Sequence, residues 1–235
     1  MDWRLAFKRL AWVAIYATAM GLLEAICVIY LRKIYPVATN YPIPPLDEMG
    51  IEVIREVCTI TMLMAVGWLG GSNFLTRTAC FFYAFGIWDI LYYVGLRWLN
   101  DWPTGPFEWD CLFFIPKPWY GPVLAPVLIS AYFCLSCILI YCREAWGRPV
   151  RLTATLVLSQ LIAFGIWYWS FVKDADRISA EGFEGMTYSW QLFAAGAFVA
   201  CAGVLLNRGR AKTALPPPLP PPPKEIPEAL GAPDR

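Results

Sequence analysis

Leu10 to Leu31 read LAWVAIYATAMGLLEAICVIYL, an apolar run holding one ionisable residue, Glu24. About 20 such residues are what an α-helix needs to cross the hydrocarbon core of a bilayer. Arg4, Lys8 and Arg9 precede the run as they would in a secretory signal. The run is longer than a signal's apolar core and contains a carboxylate, so it reads as a retained helix. Five further stretches of this kind follow at 51–70, 78–99, 121–142, 152–172 and 188–206, bounded by charge, Pro or Gly. The expected fold is all-α, a polytopic helical membrane protein of about six transmembrane helices over 1–207. Residues 208–235 are expected to form a Pro-rich, disordered cytoplasmic tail.

Composition agrees. With 58% hydrophobic and 16% charged residues, a soluble domain of this size would leave far too much apolar surface in water. The chain has no His, which removes the commonest general base and zinc ligand and excludes a Ser-His-Asp triad. All eight cysteines except Cys111 lie within or at the edge of apolar stretches, which is not the pattern of a disulfide framework. Cys134 and Cys137 have redox-motif spacing but read as small packing residues. A net charge of +1 without a long basic face argues against nucleic acid as a partner.

Lys and Arg near the helix ends set the expected orientation. One side receives Arg4, Lys8, Arg9, Arg77, Arg143, Arg148, Arg151, Arg208, Arg210 and Lys212. The other receives Arg32, Lys33, Arg55, Arg97, Lys117, Lys173 and Arg177, together with Asp47, Glu48, Asp101, Glu108, Asp110, Asp174, Asp176, Glu181 and Glu184. Both termini are therefore expected in the cytoplasm. Between the third and fourth stretches, Asn100 to Pro126 includes Trp109-Asp110-Cys111-Leu112-Phe113-Phe114-Ile115-Pro116-Lys117-Pro118-Trp119-Tyr120. Its aromatic residues suit the headgroup level and its prolines forbid a long helix. A short apolar wedge is expected here, lying in the outer interface or dipping into the bundle. The tail, with Pro216-Pro217-Pro218 and Pro220-Pro221-Pro222-Pro223, favours an extended polyproline II conformation without a packed core.

Ionisable residues inside apolar helices are expensive and mark function by default. Glu24 lies roughly 10 Å short of the outer end of its stretch and Asp89 about 12 Å short of Arg97, from the rise per residue. Glu52, Arg55 and Glu56 occupy the first two turns of the second stretch, so all five fall in the outer half of the membrane. Spacings of three and four place Glu52, Arg55, Glu56 and Thr59 on one stripe, where Glu52 and Arg55 can pair and Glu56 can reach another helix. On the third stretch Phe85, Gly86, Asp89, Tyr92, Tyr93 and Leu96 share a face, with Gly86 permitting close helix approach and the Tyr hydroxyls able to donate to a carboxylate. The candidate ligand-binding set is Glu24, Glu52, Arg55, Glu56, Asp89, Tyr92, Tyr93, Arg97 and Asp110. Carboxylates favour hard ions over zinc or copper, and no metal, cofactor or catalytic residue is assigned.

Four stretches carry a resemblance: Gly21-Leu22-Leu23-Glu24-Ala25 through Val28-Ile29-Tyr30-Leu31-Arg32; Glu52-x-x-Arg55-Glu56; Gly86-Ile87-Trp88-Asp89-Ile90-Leu91-Tyr92-Tyr93; and Trp109-Asp110-x-Leu112-Phe113 through Pro116-x-Pro118-Trp119-x-Gly121-Pro122. In these, over roughly the first 130 residues, the chain resembles a family of uncharacterised bacterial multi-pass membrane proteins. The resemblance implies the bacterial inner membrane as the location, supports the placement of a site and implies no mechanism. Three readings of function stand side by side. The first is a ligand-binding or transport-related protein whose outer-leaflet acidic and aromatic pocket takes a cation, a proton or a lipid headgroup. The alternative is a non-catalytic accessory or scaffold subunit that meets a protein partner through residues 100–120 or the Pro-rich tail. The third is an enzyme on a lipid-linked substrate, with a carboxylate as base and Arg55 or Arg97 holding phosphate.

Overall fold

A computed structural model describes residues 3–34, 49–146 and 149–207. The Pro-rich tail over 208–235 lies outside them. The chain forms helices α1 (Trp3–Ile34), α2 (Met49–Gly70) and α3 (Phe74–Asn100), then strands β1 (Trp109–Phe113) and β2 (Trp119–Pro122). Helices α4 (Leu124–Ala145), α5 (Ala154–Val172), α6 (Ala175–Glu181) and α7 (Trp190–Leu205) follow. Five helices are long and apolar enough to cross a membrane, while α7, apolar but with only 16 residues, is shorter. Trp12, Leu69 and Phe198 are each more than 70% exposed on the helix surfaces. A bilayer covers such side chains and water does not.

Local sequence explains where α3 begins. Asn73 accepts the Thr76 backbone N–H at 3.0 Å while the Thr76 hydroxyl accepts the Asn73 N–H at 3.0 Å, a reciprocal cap that starts the helix at Phe74, ahead of the expected 78. It ends at Asp101, whose φ of 51° is left-handed. Thr153 caps α5 by accepting the Leu156 N–H at 3.2 Å.

Small residues set the helix contacts, as they do where no hydrophobic force separates helix from lipid. Helices α1 and α3 lie side by side: Gly21 sits against the Trp88 backbone, and a Cβ on Gly95 would meet that of Ala25 at 2.9 Å. Helix α2 packs on α3 with Gly67 against Phe81. On the other side α4 crosses α3 at Gly86, where a Cβ would reach the Ser130 carbonyl at 2.5 Å, so the close approach expected of Gly86 is realised. Helices α5 and α7 form a pair, with Gly196 against the Trp167 ring and the Trp167 indole donating to the Phe193 carbonyl at 3.1 Å. Tyr132 of α4 ties into that pair by donating to Gln160 at 2.6 Å.

The segment between α3 and α4 departs from the all-α expectation. Strands β1 and β2 pair antiparallel, Asp110 opposite Gly121, with an irregularity between Cys111 and Phe113. The prolines that bar a helix confine Pro116 and Pro118 to the loop, where ladder donors are not needed. The hairpin does dip into the bundle: the Phe113 ring lies 6.1 Å from that of Phe85 and 6.2 Å from that of Trp88. Helix α6 braces its outer face through Tyr120–Ser179 at 3.0 Å and Lys117–Asp176 at 3.0 Å.

Candidate ligand pocket at the hairpin end of the bundle

The C-terminal ends of α1 and α3, the N-terminal end of α2 and the hairpin enclose a cavity of about 80 Å³. Asp89, buried on α3, accepts the Ser130 hydroxyl of α4 at 2.8 Å. Gly86, one turn before Asp89, is what lets Ser130 come so near.

Between α1 and α2 stands a charged cluster. The Arg55 guanidinium bridges Glu52 at 2.8 Å, the expected pairing within one helix turn, and Glu24 of α1. Thr59, on the same α2 stripe, donates its hydroxyl to Glu24 at 3.3 Å. Glu56 does leave its own helix: both its oxygens accept the backbone N–H of Phe114, at 3.0 and 3.1 Å, which fastens the hairpin to α2.

Asp110 of β1 closes the upper end. Tyr93 donates to it at 3.1 Å and the Arg32 guanidinium lies 3.7 Å away, held over the Trp102 ring at 4.0 Å. Burial raises the Asp110 carboxyl to about 6, and the Arg32 charge and the Tyr93 hydrogen bond restrain that rise. Tyr92 lines the wall with its ring 6.4 Å from that of Trp88.

Eight of the nine expected residues therefore line one cavity: Glu24, Glu52, Arg55, Glu56, Asp89, Tyr92, Tyr93 and Asp110. Arg97 does not. It sits on the last turn of α3 and donates to the Asp101 carbonyl at 2.7 Å on the exposed surface, because the left-handed turn at Asp101 presents that carbonyl within reach. Its place as the second cation is taken by Arg32, which the sequence alone puts at a helix end. Ser130 and Trp88 were also missed as site residues. A hydroxyl in an apolar span is an available signal for the first, and the indole beside Asp89 for the second.

Among the described residues, no three acidic or thiol side chains converge closely enough to hold a metal ion. Glu24 and Glu52 instead share Arg55, while Glu56, Asp89 and Asp110 are engaged at separate points by the Phe114 N–H, Ser130 and Tyr93. No family model, curated protein or solved structure matches this chain.

Proposed function

We propose that this chain is a multi-pass protein of the bacterial inner membrane, both termini cytoplasmic, which binds or conveys a small polar ligand in the cavity at its outer-leaflet end. The observation that carries this is the cavity's charge. Five carboxylates (Glu24, Glu52, Glu56, Asp89, Asp110) face two guanidiniums (Arg32, Arg55), which is 2 − 5 = −3 when all are ionised. A network serving only to fix helix packing is expected to balance its charges, since uncompensated charge in hydrocarbon costs about 2.5 kcal/mol or more per group. An excess of three carboxylates calls for protons or a cationic group.

Support comes also from the four stretches by which the chain resembles a bacterial membrane-protein family. They lie far apart in sequence, yet each contributes lining to this one cavity. We infer membership of that family on this convergence. The accessory-subunit reading has less to stand on, because the inward faces of residues 100–120 are used within the chain, Phe113 against Phe85 and Trp119 against Phe171 with ring centres 6.2 Å apart. For an enzyme on a lipid-linked substrate, the loss of Arg97 from the site leaves Arg32 and Arg55 as phosphate ligands, and both are already paired with carboxylates.

The test is native mass spectrometry of the gently solubilised protein beside Asp89→Asn, a change that keeps an oxygen for Ser130. A bound species present on the parent and lost from the variant is the expected result. A bare chain in both, with the same melting temperature, overturns the reading.

A further inference from the structure

Two of the residues that line the cavity carry a buried donor without an acceptor among the described residues. Trp88 is 6% exposed and lines the cavity, yet its indole N–H has no acceptor among the described residues. Buried donors are rarely left in this state, because desolvation without a partner is costly. The ring cannot readily turn to find one, being packed against Phe85 at 5.2 Å, Tyr92 at 6.4 Å and Phe113 at 6.2 Å between ring centres. A second donor in the same cavity, Arg32 Nε, is also buried without an acceptor among the described residues.

We propose that the ligand is an organic ammonium bearing an acceptor oxygen, of the amino-alcohol kind, with its ammonium among the carboxylates and its oxygen on the Trp88 indole N–H. This rests on the reading of the cavity as a binding site and specifies what enters it. The ammonium answers the excess of carboxylates, whose lone pairs outnumber the donors now facing them. The faces of Trp88, Tyr92 and Phe113 add attraction for an organic cation. A bare metal ion answers less of the site. The acidic groups do not converge on one point, and water bound to a metal offers its hydrogens outward, leaving the indole N–H unpaired. A volume of about 80 Å³ suits a headgroup-sized fragment, so a lipid source would keep its acyl chains outside. Free amino alcohols and the aminoethyl headgroup of a phospholipid share this chemistry.

The experiment measures binding of ethanolammonium and ethylammonium chlorides to the full-length protein in detergent, for the parent and for Trp88→Phe, which keeps an aromatic ring and removes the N–H. The parent is expected to hold ethanolammonium about tenfold more tightly than ethylammonium, the effect of one buried hydrogen bond. Trp88→Phe should weaken both amines a little through its poorer ring face and abolish the difference between them, so that ethanolammonium binds no more tightly than ethylammonium in that variant. The same protein in nanodiscs of phosphatidylethanolamine or phosphatidylcholine separates the sources. A phosphatidylethanolamine adduct that resists ethanolammonium and weakens in Trp88→Phe identifies the lipid, whereas displacement by ethanolammonium identifies the free amine. Equal affinities for the two amines, unmoved by Trp88→Phe, overturn this inference and leave the cavity reading standing. No binding of either amine, no lipid adduct and no effect of Asp89→Asn overturn both.

Discussion

Glu56 accepts the backbone N–H of Phe114 with both carboxylate oxygens, at 3.0 and 3.1 Å, across 58 residues of chain. This bond joins the second helix to the hairpin that roofs the cavity. Glu56→Gln keeps one acceptor oxygen and should weaken the attachment by about 1 kcal/mol, and Glu56→Ala by about 2 to 3. Hydrogen exchange at the Phe114 amide should quicken in that order. Unchanged protection in Glu56→Ala would show that the hairpin is held by its aromatic contacts alone.

Arg55 stands between Glu24 and Glu52. Removing it as Arg55→Met strands two buried carboxylates and should cost about 3 to 5 kcal/mol. Adding Glu24→Gln and Glu52→Gln should recover a large part of that loss, because the stranded charges go with it. Thermal unfolding in detergent checks this, and a triple variant no more stable than Arg55→Met would refute the ion-pair account.

At Gly86 a Cβ would press on the Ser130 carbonyl at 2.5 Å and the Cys134 sulfur at 2.9 Å. Gly86→Ala should therefore destabilise by about 1 to 3 kcal/mol through forced separation of α3 and α4. Gly165, on the exposed face of α5, meets nothing within 4 Å. There the same substitution should stabilise by about 0.5 to 1 kcal/mol through helix propensity. Melting temperatures moving in the same direction at both sites would contradict the packing described.

Burial places the Asp110 carboxyl near 6, above its ordinary 3.8. The folded protein thus binds a proton that the unfolded chain releases between these values. Asp110 contributes most to stability below about pH 4, and that contribution is lost as pH rises toward 6, by about 3 kcal/mol over two pH units. Asp110→Asn should remove this slope, and Arg32→Gln should move its upper limit above 6 because the guanidinium no longer favours the carboxylate. Stability measured from pH 4 to 7 in the three proteins decides it.

How much of this was legible follows from what each residue does. Glu24, Glu52, Arg55, Glu56 and Asp89 announced themselves because charge in an apolar run has few places to go, and their helix positions brought them to one end. Arg97 misled for the reverse reason: at a helix end, an arginine has surface partners as near as interior ones, and the carbonyl of Asp101 supplied one. Ser130 was hidden because a helical hydroxyl can bond its own backbone, so sequence does not say that it looks outward to Asp89. The hairpin was hidden because its strands are short and proline-flanked. The pairing of Asp110 with Gly121 depends on a fold-back that no periodicity records.

Helix α7 has 16 residues and α1 has 32, or about 24 Å against 48 Å of helix. A hydrocarbon layer of about 30 Å cannot fit both upright. On the proposed six-helix topology, the lipid beside α7 would thin or the helix ends would sink, while α1 would lean or project. One flank of the molecule would then match a thin membrane and the other a thick one. Bilayer composition would act as a force on the bundle, changing the tilt of α1 and, through Glu24 and Arg32, the width of the pocket that α1 helps to wall.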